Sequence, residues 1–174
     1  PELRELSLRS IPKSQPLGVL SRLPRLTHLG IGLGGRETIG EIRSDTLEKL
    51  SIGGVLGLTS LGDLSRFSSL RVLIVDGQPK LKAIALNQAP AGLRVLNLFT
   101  CKSLDTIGNL ERFHGLEDLA LAFTALDLDE ILHSPLPPSL RAVRLVSGKL
   151  TRDRELRALL DQRGYREFPE VTEP

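Results

Sequence analysis

One phrase constrains this chain more than any other feature. It reads leucine-x-x-leucine-x-leucine, with other aliphatics tolerated at the last two places, and it recurs seven times. The copies start at Leu3, Leu26, Leu47, Leu70, Leu93, Leu116 and Leu140, with steps of 23, 21, 23, 23, 23 and 24 residues. A fixed period of this length means that each copy is one supersecondary unit. A single unit cannot bury its apolar side alone, but a stack of them builds a continuous core.

Numbering each copy from its first leucine, positions 1, 4 and 6 are expected to point into the stack, because side chains alternate faces along a strand. Position 4 is Leu6, Leu29, Leu50, Leu73, Leu96, Leu119 and Val143, and position 6 is Leu8, Ile31, Ile52, Val75, Leu98, Leu121 and Leu145. The pattern predicts seven strands pairing in parallel, one per copy. The return halves carry apolar residues every third place, as in Leu58, Leu61, Leu64 and Phe67, and again in Leu104, Ile107, Leu110 and Phe113. That spacing suits short helices or 3₁₀ turns on the far side. Ser14 with Pro16 and the Thr124–Glu130 stretch are candidate starts for such turns. The second copy is glycine-rich, and its return half, Arg36 to Asp45, lacks the leucines, which predicts a loop or irregular strand. Asn87 to Gly92 also reads as irregular.

From Thr151 the pattern changes to an amphipathic helix with Leu156, Leu159 and Leu160 on one side and Gly164 as its stop. The expected architecture is therefore an α/β solenoid over residues 1–150, with a parallel concave sheet and a convex side of short helices or 3₁₀ turns. A C-terminal helical cap and tail over 151–174 closes it. Tyr165, Phe168 and Val171 are expected to pin the tail. A core of stacked leucines also explains how a chain with only 3% aromatic residues can be globular. The chain has no methionine, and Pro1 and Glu2 lead directly into a repeat, so the reading expects a fragment without an N-terminal cap.

Charge and composition exclude several functions. The formal net charge is +2, with basic and acidic residues interspersed. The basic stripe of a nucleic-acid binder is not present, so nucleic acid is not an expected partner. No apolar run approaches the roughly 20 residues of a membrane-spanning helix. A lone cysteine, Cys101, allows no internal disulfide and fits a reducing compartment.

Chemical motifs reduce to structural roles. Gly30, Gly32 and Gly35 satisfy a G-x-G-x-x-G phrase, but no convincing helix follows, and Ile31 inside the phrase is a ladder residue. Cys101 has no histidine in its own phrase to act as base. His28, His114 and His133 stand at unrelated repeat positions without metal-ligand spacing. Asp127, Asp129 and Glu130 read as helix-start acids. The sequence thus predicts no enzyme, no cofactor, no metal and no small-molecule substrate.

The concave positions 3, 5 and 7 carry the functional signal. They are polar or glycine in the first three copies. From the fourth copy they become Val72, Ile74, Asp76, Val95, Asn97, Phe99, Asp118, Ala122, Arg144 and Val146, with Ala120 and Ala142 between them. Apolar groups side by side on adjacent strands make one patch, and such patches mark interaction sites. Phe99 is the large aromatic at its centre and Asp76, Asp118 and Arg144 its expected polar rim.

These phrases resemble the leucine-rich repeat family over almost the whole chain to about residue 150. At position 9, where that family usually has asparagine, or cysteine in some classes, this chain has Ile11, Gly34, Val55, Gln78, Cys101, Thr124 and Gly148. The stretch from Leu93 to Ile107, followed by Leu116 to Leu126, is similar to repeats of plant-type nucleotide-binding immune receptors and of bacterial signal-transducing NTPases. Leu136 to Leu140 is similar to the L-P-x-x-L phrase of bacterial effector repeats. The resemblance implies a non-enzymatic protein-recognition module: the C-terminal sensor or autoinhibitory region of a larger cytoplasmic signalling NTPase. Its partner would be a protein or an upstream domain of the same polypeptide. The alternative is a stand-alone or effector-type scaffold that recruits or regulates another enzyme.

Overall fold

The computed structural model describes residues 2–10, 12–85 and 90–166. Its strands, in chain order, are β1 (Glu5–Arg9), β2 (His28–Gly32), β3 (Lys49–Gly53), β4 (Val72–Asp76), β5 (Ala83–Ala85), β6 (Val95–Phe99), β7 (Thr106–Gly108), β8 (Asp118–Ala122) and β9 (Ala142–Val146). Two α-helices, α1 (Leu128–His133) and α2 (Leu150–Gln162), lie in the C-terminal third. The fold is α/β. Seven strands form one parallel sheet in the order β1-β2-β3-β4-β6-β8-β9, and β5 pairs with β7 in a second, two-stranded sheet.

Each strand of the large sheet occupies positions 3 to 7 of one phrase, and the register is the sequence period itself. Leu6 stands beside Leu29, Leu29 beside Leu50, and so on to Leu119 beside Val143. One backbone bond recurs at every step. The position-2 N–H donates to the position-2 carbonyl of the preceding copy at 2.8 Å, from Thr27 to Arg4 through Arg141 to Glu117. Position 8 repeats too. Ser10, Leu33, Gly54, Gly77, Thr100 and Phe123 all have φ between 52° and 63°. This left-handed step turns the chain out of the strand, and each N–H still reaches the position-7 carbonyl of the next copy at 2.9–3.1 Å.

Positions 4 and 6 are buried from β2 to β9 and join the position-1 leucines in one core. Leu6 and Leu8 of β1 are only half-buried. The return halves supply the other wall of the core. Leu58, Leu61, Leu64 and Phe67 are buried, as are Leu104, Leu110 and Phe113. Short 3₁₀ helices form at Gly18–Arg22, Leu64–Arg66 and Leu110–Arg112. The first starts two residues after Pro16, and Leu17 rather than a polar side chain caps it. Asp63 caps the second by accepting from the Ser65 N–H at 2.8 Å. Three-residue spacing does not predict the β5–β7 pair, which takes Ile84 and Ile107 into strand form instead.

The second return half is a loop, as its glycines imply, but its core is not empty. Ile39 and Ile42 are buried in place of leucines. Arg36, 8% exposed, fills the space beside them. Its guanidinium bonds the Glu41 carboxylate at 2.6 Å, the Pro12 carbonyl at 3.1 Å and the Gln15 carbonyl. Here the next coil approaches so closely that a Cβ on Gly57 would lie 2.2 Å from the Gly35 carbonyl oxygen. That position admits only glycine.

Helix α1 begins where its acids predict. Asp127 caps it, accepting from the N–H groups of Asp129 and Glu130 at 2.9 and 3.0 Å. Helix α2 starts one residue before Thr151, is joined to the end of β9 by Asp153 accepting from Ser147 N–H at 2.6 Å, and turns out at Gly164 with φ 79°. Leu156 and Leu160 are buried, whereas Leu159 faces outward. Beyond the helix, Tyr165 packs on the core, and Arg166 N–H donates to the Arg141 carbonyl at 2.9 Å, as the next position-2 bond would. Phe168 and Val171 lie outside the described residues, as do Asn87 and its neighbours through residue 89.

Candidate interaction surface

The large sheet has two faces. Positions 4 and 6 fill the core, so positions 3, 5 and 7 form the outer face, ordered by the strand register into three rows. Position 3 runs Glu5, His28, Lys49, Val72, Val95, Asp118, Ala142. Position 5 runs Ser7, Gly30, Ser51, Ile74, Asn97, Ala120, Arg144, and position 7 runs Arg9, Gly32, Gly53, Asp76, Phe99, Ala122, Val146. Adjacent strands lie about 4.8 Å apart, so neighbours in a row touch. The three predicted columns are thus brought together from β4 to β9.

The patch is tighter than the sequence reading expects. Val72, Ile74, Val95, Phe99, Asp118 and Val146 are half-buried, and Asp76 and Arg144 are exposed. Asn97 and Ala122, expected at the surface, are buried at 1% and 4% exposure. Ala120 and Ala142 form a small second cluster of their own, with Val95 and Phe99 packed against it. The reason is the size difference across strands. Large side chains on β6 lean over the small alanines of β8 and β9, where a pleated surface of equal residues would have left each partly open. Phe99 is therefore both a surface aromatic and a packing residue.

Asn97 is the polar exception inside this patch. Its in-register neighbours are Ile74 and Ala120, which offer no side-chain hydrogen bond. Its Oδ1 is buried without a partner among the described residues. An amide held this way costs about 1–3 kcal/mol. Asp118 is the charged exception. Between Val95 and Ala142, its carboxyl is pushed above the ordinary range by burial and then by neighbouring Glu117, with Arg166 and Arg141 pulling the other way.

The other motifs fall into structural places. Gly30 to Gly35 leads from β2 through Leu33 in the left-handed region into loop, with no helix to receive a phosphate. His28 lies on β2, His114 in a turn before β8, and His133 at the end of α1 with its Nδ1 2.7 Å from the Asp129 carbonyl oxygen. Cys101 is buried, with Sγ 3.2 Å from the Phe99 carbonyl oxygen, and burial pushes its thiol up to about 11. Among the described residues no group of three His, Cys, Asp or Glu side chains could hold a metal ion, and no helix is long and apolar enough to cross a membrane. A hollow of about 470 Å³ opens off the return side, between Ser21, Pro24, Arg43, Asp45, Thr46 and Arg66. The sequence does not reveal it, because its lining joins Ser21 and Arg66 of two 3₁₀ helices to loop residues with which they share no period.

Comparison with protein-family models, with curated proteins and with solved structures finds no match.

Proposed function

We propose that the chain is a leucine-rich repeat solenoid that works by protein recognition and performs no chemistry of its own. The observation that carries this reading is the contrast between the two halves of the outer face. From β1 to β3 the three rows hold charged residues, His28, serine or glycine. From β4 to β9 they hold Val72, Ile74, Val95, Phe99 and Val146 on one face, with accessible Asp76 and Arg144 among them. Apolar side chains on a sheet face that is not needed for the core mark an interaction site. Flanking charges of both signs supply a polar rim. The half-buried Phe99 is the natural central anchor.

On this reading the partner is a protein, or another domain of the same polypeptide, and membrane, nucleic acid, metal and organic cofactor play no part. The resemblance of the fifth and sixth copies supports the narrower role of a cytoplasmic sensor or autoinhibitory region of a signalling NTPase. The decisive variant is Ile74→Glu, which puts a charge in the middle of the patch at a half-buried site. Purified wild-type and variant chains would be immobilised and the proteins each retains from a cell extract compared. Melts of both chains run alongside. A defined partner kept by the wild type and lost by a well-folded variant is the expected result. An unchanged set of retained proteins would remove the outer face from the function.

A further inference from the structure

We propose that the hollow beside the second coil binds a small phosphate monoester, held by Arg43 and Arg66. The site is separate from the outer face of the sheet, because its residues all belong to return halves.

The hollow has its origin in repeat length. The second copy spans 21 residues, against 23 for the copies before and after it. Its return half has no 3₁₀ helix, whereas its neighbours carry Gly18–Arg22 and Leu64–Arg66. The short segment therefore leaves a recess between the two helices. It is tied to both neighbours. Arg43 N–H donates to Ser21 Oγ at 3.2 Å on one side, and Ser44 N–H donates to the Arg66 carbonyl at 3.2 Å on the other. The volume of about 470 Å³ lies within the roughly 300–1,000 Å³ of small-molecule pockets. Three successive coils line the hollow, so it opens from the side of the stack and not from its end.

The donors in it are only partly used. Arg66 is half-buried and has no ion pair among the described residues. Its guanidinium donates to the carbonyls of Ile42 and Leu61 at 2.7 Å each, of Ile39 at 3.3 Å, and of Asp63. A guanidinium has five N–H donors, so one remains. Arg43 is exposed, and its side chain has neither hydrogen bond nor ion pair among the described residues. The two cations lie in each other's field. Burial lowers the Arg66 pKa, Asp63 opposes this, and Arg43 adds to it. Ser21 Oγ accepts from Arg43, which leaves its own O–H free to donate.

Two acids stand nearby. Asp63 feels both arginines, but Ser65 N–H and O–H hold its carboxylate at 2.8 Å each, and it is outside the lining. Asp45 is in the lining, and its Oδ1 accepts from Ser68 O–H at 3.1 Å. Two arginines against one aspartate leave the lining positive. Guanidinium groups pair with phosphate oxygens through parallel charge-assisted bonds. Arg43, the spare Arg66 N–H and Ser21 O–H together need more acceptors than the two oxygens of a carboxylate. A phosphate monoester has three. Asp45 opposes a long polyanion but can accept from a hydroxyl of a small ester.

The test is a titration of the isotope-labelled chain with inorganic phosphate and with glycerol 3-phosphate, followed by amide NMR shifts at neutral pH and constant ionic strength in chloride. Saturable shifts gathered at Ser21, Arg43, Ser44 and Arg66 are expected, with the ester bound at least as tightly as the ion. Arg43→Gln removes an exposed side chain with no bond to lose, so the fold should survive, as circular dichroism checks. It should weaken both ligands about tenfold or more, the loss of one charge-assisted pair. Asp45→Asn keeps an acceptor for Ser68 and removes the opposing charge, so it should tighten inorganic phosphate. Arg112→Gln is the control. Arg112 is exposed and ends the 3₁₀ helix of the fifth copy as Arg66 ends that of the third, but it stands outside the hollow, and its loss should change nothing. No saturable shift at millimolar phosphate, shifts spread over surface arginines, or an equal loss in Arg112→Gln would mean an adventitious ion only and overturn the proposal. So would an Arg43→Gln chain that binds like wild type, an Asp45→Asn chain that loses phosphate, or an inorganic ion bound where the ester is not.

Discussion

Gln78 and Cys101 occupy the same place in consecutive coils, and both tie the turn after the strand back to the sheet. Gln78 Nε2 donates to the Asp76 carbonyl at 2.6 Å and reaches the Ile52 carbonyl, one coil earlier, at 3.4 Å. Cys101 Sγ makes the matching pair of approaches, to Phe99 at 3.2 Å and to Val75 at 3.9 Å. This is position 9 of both copies, where the sequence has no constant residue. A long amide and a weaker thiol donor play the same part there.

Replacing Gln78 by leucine keeps the volume and removes the donor. The Ile52 and Asp76 carbonyls then lose a donor, at a cost of about 1–3 kcal/mol, less what is regained by removing the unpartnered Oε1. Chemical denaturation of the variant measures it. A loss near zero would mean that removing Gln78 Oε1, without a partner among the described residues, offsets the lost donor. The corresponding Cys101→Val change should cost less, because a thiol donates weakly.

The strands of the large sheet are legible because one physical rule, alternation on a parallel ladder, acts at every copy. Each of the seven strands spans positions 3 to 7 of its phrase. The failures share a cause: positions where neighbours across coils decide the outcome. Asn97 and Ala122 read as surface residues from their place in the strand. They are buried beside the cluster in which Val95 and Phe99 pack on Ala120 and Ala142. Arg36 is not legible as a core residue of the second return half, because an arginine is rarely buried. Its three bonding partners come from Pro12, Gln15 and Glu41, which no periodicity connects. The β5–β7 pair was hidden because a three-residue spacing cannot distinguish a short turn from a short extended segment.

Leu33 illustrates a conflict between local conformation and composition. It stands at position 8 with φ 58°, where the third and fourth copies use Gly54 and Gly77, and it is 55% exposed. A branched side chain in the left-handed region costs roughly 1–3 kcal/mol. Glycine there removes the strain but adds about 0.4–1 kcal/mol of unfolded-chain entropy. It also gives up the Leu33 side chain, whose Cδ2 occupies the space beside Gly54, 3.3 Å from where a Cβ on that glycine would stand. Leu33→Gly is therefore expected to leave stability unchanged or raise it by about 1 kcal/mol. A thermal melt decides the sign. A clear loss would show that the side chain beside Gly54 outweighs the strain.

The charge on Asp118 should make the outer face sensitive to acid in a direction opposite to that of an ion-paired carboxylate. Its pKa is raised above 3.8 in the folded chain, first by burial between Val95 and Ala142 and then by Glu117. The ionised form is thus disfavoured by folding. The penalty is fully present above the raised folded value, shrinks as pH falls through it, and is gone below the unfolded value, where the group is protonated in both states. Asp118→Asn should therefore melt higher than wild type at neutral pH, and the two melts should converge as the pH is lowered to and past 3.8. Because the carboxyl remains partly accessible, solvent screening keeps the gap to a fraction of about 1 kcal/mol. Paired melts across that range measure it. A variant that melts lower than wild type at neutral pH would mean that Arg166 and Arg141 stabilise the carboxylate more than burial opposes it. Asp118 would then belong to a structural charge cluster at the end of the sheet rather than to the rim of a binding face.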